Sequence, residues 1–127
     1  MFDATPDEDE QPSLIDDDEG PVLVCRACGT TVARLSWVAA VDNGPTHRVF
    51  FNPEGVMMKV ITLRATTNVR AMGVPTEEFS WFPGYAWTYA YCDGCRRQLG
   101  WRFTAVGAAV PALFWGLLET AVQEQEE

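Results

Sequence analysis

Cys25-Arg-Ala-Cys28 and Cys92-Asp-Gly-Cys95 place all four cysteines of the chain in two Cys-x-x-Cys pairs. Each pair turns tightly enough to aim two thiolates at one metal, and two pairs make the ligand set of a tetrahedral structural zinc site. The gap between the pairs is far longer than in a zinc ribbon, so a single Zn²⁺ would clip together distant parts of the chain. Two disulfides are an alternative. The start of the chain, however, has neither the basic nor the apolar region of a secretory signal, which points to a reducing compartment. A thioredoxin-like couple is another alternative, although it usually needs one pair rather than two. A catalytic metal fits less well, because such sites keep an open position and usually recruit histidine or carboxylate. The only histidine, His47, stands in Pro-Thr-His-Arg with no acid two residues on. Both knuckles also lack the proline of the zinc-deaminase motif, having Val24 and Tyr91 there instead. If all four thiols hold metal, no cysteine remains as a nucleophile, and no enzymatic activity is expected.

The second concentration of unusual residues is the stretch Ser80–Cys95, SWFPGYAWTYAYCDGC, in which six of sixteen positions are Trp, Phe or Tyr. Phe82-Pro83-Gly84-Tyr85 reads as a type II turn, with Pro83 presetting φ and Gly84 supplying φ > 0. After it, Trp87, Tyr89 and Tyr91 alternate with smaller residues, so one face of a strand is aromatic. Beyond the second knuckle, Trp101 and Phe103 alternate in the same way. A hairpin closed symmetrically over 92–97 puts Trp87 opposite residue 102, within one position of both Trp101 and Phe103. Trp81 lies across the Pro-Gly turn. On periodicity alone these rings could form the core of a small β-domain. Two features favour a lined pocket: Trp81 and Trp87 flank a turn, and turns run over surfaces. Aromatic walls with a few backbone polar groups also make a small-molecule site.

The elements that must position these groups are short. Segments rich in β-branched and aromatic residues (31–37, 48–51, 57–64, 86–91 and 99–104) are separated by Asn43-Gly44-Pro45, Asn52-Pro53-Glu54-Gly55, Gly73-Val74-Pro75 and the Pro83-Gly84 turn. That pattern predicts antiparallel strands in one mostly-β domain over 21–127. Residues 112–122 fit a helix or a strand. Of the 18 acids, nine fall in residues 1–20, which hold no base. This start is expected to be a disordered acidic tail. The rest of the chain balances nine acids against nine scattered bases, so there is no basic stripe for nucleic acid. The apolar run 105–118 is short for a membrane span and is broken by Pro111. A cytoplasmic protein that engages neither nucleic acid nor membrane is expected.

The stretch SWFPGYAWTYAYCDGC followed by GWRFTA resembles the CULT domain, the thalidomide-binding domain of the cereblon family. The likeness extends upstream through FFNPEG and the first knuckle and downstream through FWGL. In length the chain looks like the bacterial stand-alone members. The resemblance implies a β-tent fold, two antiparallel sheets pinned at the apex by one cysteine-ligated zinc. It also implies a cage of three tryptophans, here Trp81, Trp87 and Trp101, with Phe103 beside them. In the family this cage takes uracil-like and glutarimide rings, including uridine, thalidomide analogues and C-terminal cyclic imides on proteins. Ring hydrogen bonds would go to the backbone of Phe79, Ser80 and Trp81, with Asn52 and Pro53 approaching from the mouth. The chain departs from the animal proteins at Phe79, where they have histidine, and at Glu54 and Val56, where they have His and Tyr. The likeness covers neither their Lon-like domain nor their adaptor-binding helices, so no ubiquitin-ligase adaptor is expected among the partners. Two other functions compete. One is a cage for methylated ammonium groups, with Glu77 and Glu78 balancing the charge. The other is a relative of the β-tent methionine sulfoxide reductases that lacks their catalytic cysteine.

Overall fold

A computed structural model describes residues 20–126. The acidic segment therefore lies outside the described residues, apart from Gly20. Nine strands are described: β1 (Val22–Cys25), β2 (Thr31–Arg34), β3 (His47–Phe51), β4 (Met57–Leu63), β5 (Val69–Thr76), β6 (Tyr85–Cys92), β7 (Gln98–Ala105), β8 (Leu113–Leu118) and β9 (Val122–Gln125). They build two antiparallel sheets, one of three strands in the order β2-β1-β9 and one of six in the order β3-β4-β8-β7-β6-β5. The mostly-β, two-sheet arrangement is the expected one. None of the described helices is long and apolar enough to cross a membrane.

The five anticipated strands are present with small shifts at their ends, but β2 stops at Arg34 and gives way to a 3₁₀ turn over Leu35–Trp37. The ambiguous C-terminal segment is a strand, a 3₁₀ turn and a second strand. Gly73-Val74-Pro75, read as a turn, instead lies inside β5, at a register irregularity against β6 between Met72 and Thr76. The strand survives because β5 is the edge of its sheet, where a proline forfeits no ladder bond.

Side chains alternate across the large sheet, and both of its faces are covered. One face packs on the small sheet: Ile61, Leu63, Leu99 and Leu117 meet Leu23, Val32, Ala33 and Val122. The other gathers Val60, Tyr85, Trp101, Phe103 and Phe114 beneath Phe82 and Val41. Phe82, Phe103 and Phe114 pack at centroid separations of 4.8–4.9 Å. Two glycines make this possible. At Gly116 a Cβ would press on Val60 and the Phe103 ring, so its absence leaves room for that ring. At Gly100 a Cβ would run into the Gly116 carbonyl oxygen on the neighbouring strand. That obstacle is backbone and cannot rotate away. Gly100→Ala should therefore lower stability by ~1–3 kcal/mol, seen as an earlier thermal transition. A melting curve like that of the wild type would contradict this packing.

Candidate functional site

The four cysteines lie at one end of the two-sheet stack. Cys25 ends β1, Cys28 follows in its turn, Cys92 ends β6, and Cys95 sits in the β6–β7 turn. Their sulfurs all lie within 4.8 Å of one another, with Cys25–Cys95 at 3.7 Å and Cys28–Cys92 at 3.6 Å. These separations are too long for disulfides, whose sulfurs stand about 2.05 Å apart. They fit a tetrahedron with metal–sulfur bonds of about 2.3 Å, whose edge is about 3.8 Å. The local backbone is built for this. The Gly29 N–H donates to the Cys25 carbonyl and the Arg96 N–H to the Cys92 carbonyl, each at 2.8 Å, closing both knuckles. The Gly94 N–H points at Cys92 Sγ at 3.3 Å. A side chain at Gly94 would collide with Thr30 and crowd Cys28 Sγ, which explains the glycine in Cys-Asp-Gly-Cys. The Thr30 hydroxyl, 3.1 Å from Cys28 Sγ, and the Thr30 backbone hold the Cys28 thiol down from about 9 to about 6. A thiolate at neutral pH is the ligating form. The centre can hold a metal ion, and it joins the two sheets.

The second constellation is a cleft of about 350 Å³ on the other face of the large sheet. Asn52, Pro53, Phe79, Trp81, Trp87, Trp101 and Phe103 all line it, as do Glu54, Met58, Tyr89, Gln98 and Leu118. A register shift between Ala90 and Tyr91 positions its walls. Symmetric closure would have set Arg102 opposite Trp87. The shift pairs Trp87 with Phe103 and Tyr89 with Trp101 instead, bringing all four rings to one face. A slip of one residue would have sent them to opposite faces.

The tryptophans are anchored as well as aligned. The Trp87 indole N–H donates to the Glu78 carbonyl at 2.7 Å, and that of Trp81 donates to the Phe51 carbonyl at 3.2 Å. Trp81 also stacks on Phe50, with centroids 4.7 Å apart and planes 2° from parallel, and meets Trp101 edge to face at 4.9 Å. Each indole thus ties a mouth segment to the sheet. The Pro-Gly turn forms as expected, with the Tyr85 N–H donating to the Phe82 carbonyl at 3.1 Å and Gly84 at φ 89°. Phe79 adopts a left-handed φ of 59°, and its ring is 66% exposed at the cleft. That conformation costs a bulky residue about 1–2 kcal/mol, and such strain concentrates at ligand sites.

Two predicted residues have roles the sequence did not reveal. Ser80 is not among the lining residues. Its hydroxyl donates to the Phe82 carbonyl at 3.0 Å and accepts from the Phe82 N–H at 3.3 Å, while its own N–H donates to the Glu77 carbonyl. It therefore shapes the loop carrying Trp81. Asn52 Oδ1 accepts the N–H groups of Glu54 and Val56 at 3.0 and 2.9 Å, folding the mouth loop. A ligand can use only its amide donor. Neither Glu77 nor Glu78 lines the cleft; the acid that does is Glu54. Met58, Gln98 and Leu118 were missed. Strand alternation and the pairing of Val60 with Leu118 place Met58 and Leu118 on the cage face, a signal that requires knowing strand order. His47 is exposed at the start of β3, hydrogen-bonded to the Thr46 hydroxyl at 2.9 Å and outside the cleft.

No protein-family model matches the chain. Among known proteins, it is 35% identical to cereblon of Xenopus tropicalis over 103 residues, which is 80% of this chain and 23% of that protein. It is 34% identical to cereblon of Gallus gallus over 102 residues and 35% identical to that of Drosophila willistoni over 105. The chain spans about a quarter or less of these relatives. In fold it is similar to the crystal structure of the Mis18 "Yippee-like" domain, with a TM-score of 0.58, 11% identity, and coverage of 86% of this chain and 98% of that one. Two antiparallel sheets joined at four cysteines, an aromatic cleft on the larger sheet and this homology together make the chain a cereblon-type, CULT-like domain.

Proposed function

We propose that the cleft is a preorganised receptor for a neutral cyclic imide or uracil-like ring, carried by a small molecule or by the modified C-terminus of a protein. We further propose that the four-cysteine centre holds one Zn²⁺ with a structural role. The observation that carries the ring-binding reading is the convergence of Trp81, Trp87 and Trp101 on one open cleft. Two of their three indole N–H groups are already satisfied by backbone carbonyls. The rings therefore offer faces and edges, and the polar matching falls to nearby backbone and the Asn52 amide. A planar imide suits such a site, with CH₂ edges for the aromatic faces and a donor flanked by two acceptors. A ring whose N–H finds no partner in a dry cage would lose ~1–3 kcal/mol, so the site selects by hydrogen-bond pattern. No catalytic step is assigned to it. The four thiols gather in the other centre, and the sole histidine stands outside the cleft.

Glu54 at the rim keeps a second reading open, a cage for methylated ammonium. Titration of indole fluorescence with glutarimide and with tetramethylammonium separates the two. Saturable quenching or enhancement by the imide, with none by the ammonium at equal concentration, is the expected result. The reverse pattern would replace the imide reading with the cation cage.

A further inference from the structure

Four of the described strands have an open side: β2 and β9 in the small sheet, β3 and β5 in the large one. A bare edge offers its N–H and C=O groups to any further strand, so natural proteins blunt it. On β2 the Thr67 N–H donates to the Val32 carbonyl at 2.8 Å, and Asn68 Nδ2 donates to the Thr31 carbonyl at 2.9 Å. Strand β9 is four residues long, and its last three, Gln123, Glu124 and Gln125, are exposed and polar. Strand β5 carries Gly73 and Pro75 at its register irregularity. Strand β3 has no such protection.

The hydrogen-bond phase of β3 fixes what it presents. The Thr62 N–H donates to the Thr46 carbonyl at 2.8 Å, and the Asn52 N–H donates to the Val56 carbonyl at 3.0 Å. Antiparallel pairing alternates, so Arg48 and Phe50 bond β4, while His47, Val49 and Phe51 turn their N–H and C=O groups outward. The Phe51 carbonyl accepts the Trp81 indole N–H, as an outward group can. Among the described residues nothing takes up the outward groups of His47 and Val49 or the Phe51 N–H. The side chains beside them are apolar and uncovered: Val49 is 54% exposed, Phe51 60%, and Met57, which pairs with Phe51, 53%. The Arg48 guanidinium is drawn over the Phe82 ring on the other face, so it does not guard the edge.

We infer that β3 pairs with β3 of a second copy of the chain, antiparallel about a two-fold axis at Val49. The strand is complementary to itself in that register. Val49 meets the partner's Val49, and Phe51 meets the partner's His47. About four backbone hydrogen bonds form, two between the Val49 residues and two from the Phe51 N–H groups to the His47 carbonyls. Val49, Phe51 and Met57 of both copies make one apolar patch across the axis, with no like charges directly opposite. The nearest, Lys59, lies one strand further in. The two lysines are therefore about three strand spacings apart, ~14 Å, beyond the ~8 Å over which charge is felt at physiological salt. Two five-residue strands close less than the ~1,200 Å² of a standard interface, so the dimer is a weak one. None of these side chains lines the cleft, and the pairing does not depend on the ring-binding reading.

Sedimentation equilibrium of the full chain, from micromolar to millimolar protein, tests this. The mass should rise from one chain toward two, with a Kd of about 10–100 μM. Amide exchange at Val49 and Phe51 should slow about fivefold over the same range, a readout that needs no variant. Val49→Lys sets two ammonium groups face to face and should keep the chain monomeric throughout. Val74→Lys places the same charge on the blunted β5 edge, at a position 88% exposed, and should dimerise like the wild type. A wild-type chain that stayed monomeric would overturn the self-pairing and leave the edge to an extended peptide of another protein. A dimer that survived Val49→Lys, or one lost equally in Val74→Lys, would also overturn it.

Discussion

Removing the metal should unfold the whole described domain. The four cysteines come from the end of β1, the turn after it, the end of β6 and the turn before β7, so the proposed Zn²⁺ would span both sheets. Binding of Zn²⁺ to such a site is worth ~10–16 kcal/mol, as much as or more than the ~5–15 kcal/mol margin of a small domain. The apolar cluster between the sheets, with Leu23, Val32, Leu99, Leu117 and Val122 among its members, also contains Cys25 and Cys92, so losing the ion leaves two unligated thiols inside the core. Chelation should abolish both the cooperative melt and the β-sheet circular dichroism, and added Zn²⁺ should restore them. Cys92→Ser should do the same, since Cys92 is fully buried. A chelated sample that kept its cooperative transition would show that the metal is dispensable.

The second large effect is on ligand binding. Alanine at Trp81, Trp87 or Trp101 should each cost at least ~2 kcal/mol of affinity, as for buried aromatic anchors. Each change removes more than a ring face. Without Trp87 the Glu78 carbonyl loses its tether, and without Trp81 so does the Phe51 carbonyl, so both lips of the cleft loosen. Phe103 differs. It is 1% exposed and stacked on Phe114 at 4.8 Å, and so belongs to the core more than to the wall. Phe103→Ala should cost ~3–5 kcal/mol of stability and less in binding than the tryptophans. Thermal melting alongside titration separates the cases. Trp81→Ala and Trp87→Ala should still melt cooperatively while losing ligand, whereas Phe103→Ala should melt early. A Trp87→Ala protein with wild-type affinity would remove that indole from the site.

The metal centre and most of the cage were legible because their signals are local. Two Cys-x-x-Cys knuckles announce a ligand set whatever lies between them. The turn Phe82-Pro83-Gly84-Tyr85 and the alternation through Trp87 fix which rings share a face. What stayed hidden depends on non-local geometry. The shift at Ala90/Tyr91 turns Trp101 and Phe103 toward Trp87, yet nothing in the residues there marks a bulge. Strand β5 was hidden because Gly73 and Pro75 carry turn chemistry that only an edge position tolerates. Strands β1 and β9 are four residues each, too short to show alternation. The choice between core and pocket turned out to be false. The aromatic cluster is core at Phe82, Phe103 and Phe114 and becomes cleft wall at Trp81 and Trp87. Only the burial of each ring reveals that gradient.

The central claim, a hydrogen-bonded cage for a neutral imide ring, meets its most direct test in one comparison. Glutarimide and N-methylglutarimide are titrated into the protein with indole fluorescence as the readout. Methylation removes the ring donor and adds bulk where the three indoles converge, while leaving the CH₂ edges unchanged. The parent should saturate with Kd in the micromolar range or weaker, about −8 kcal/mol at best. The N-methyl ring should produce no saturable change over the same range. Equal binding of the two would mean that no hydrogen bond reads the ring, and the hydrogen-bonded cage would be the wrong account of the cleft.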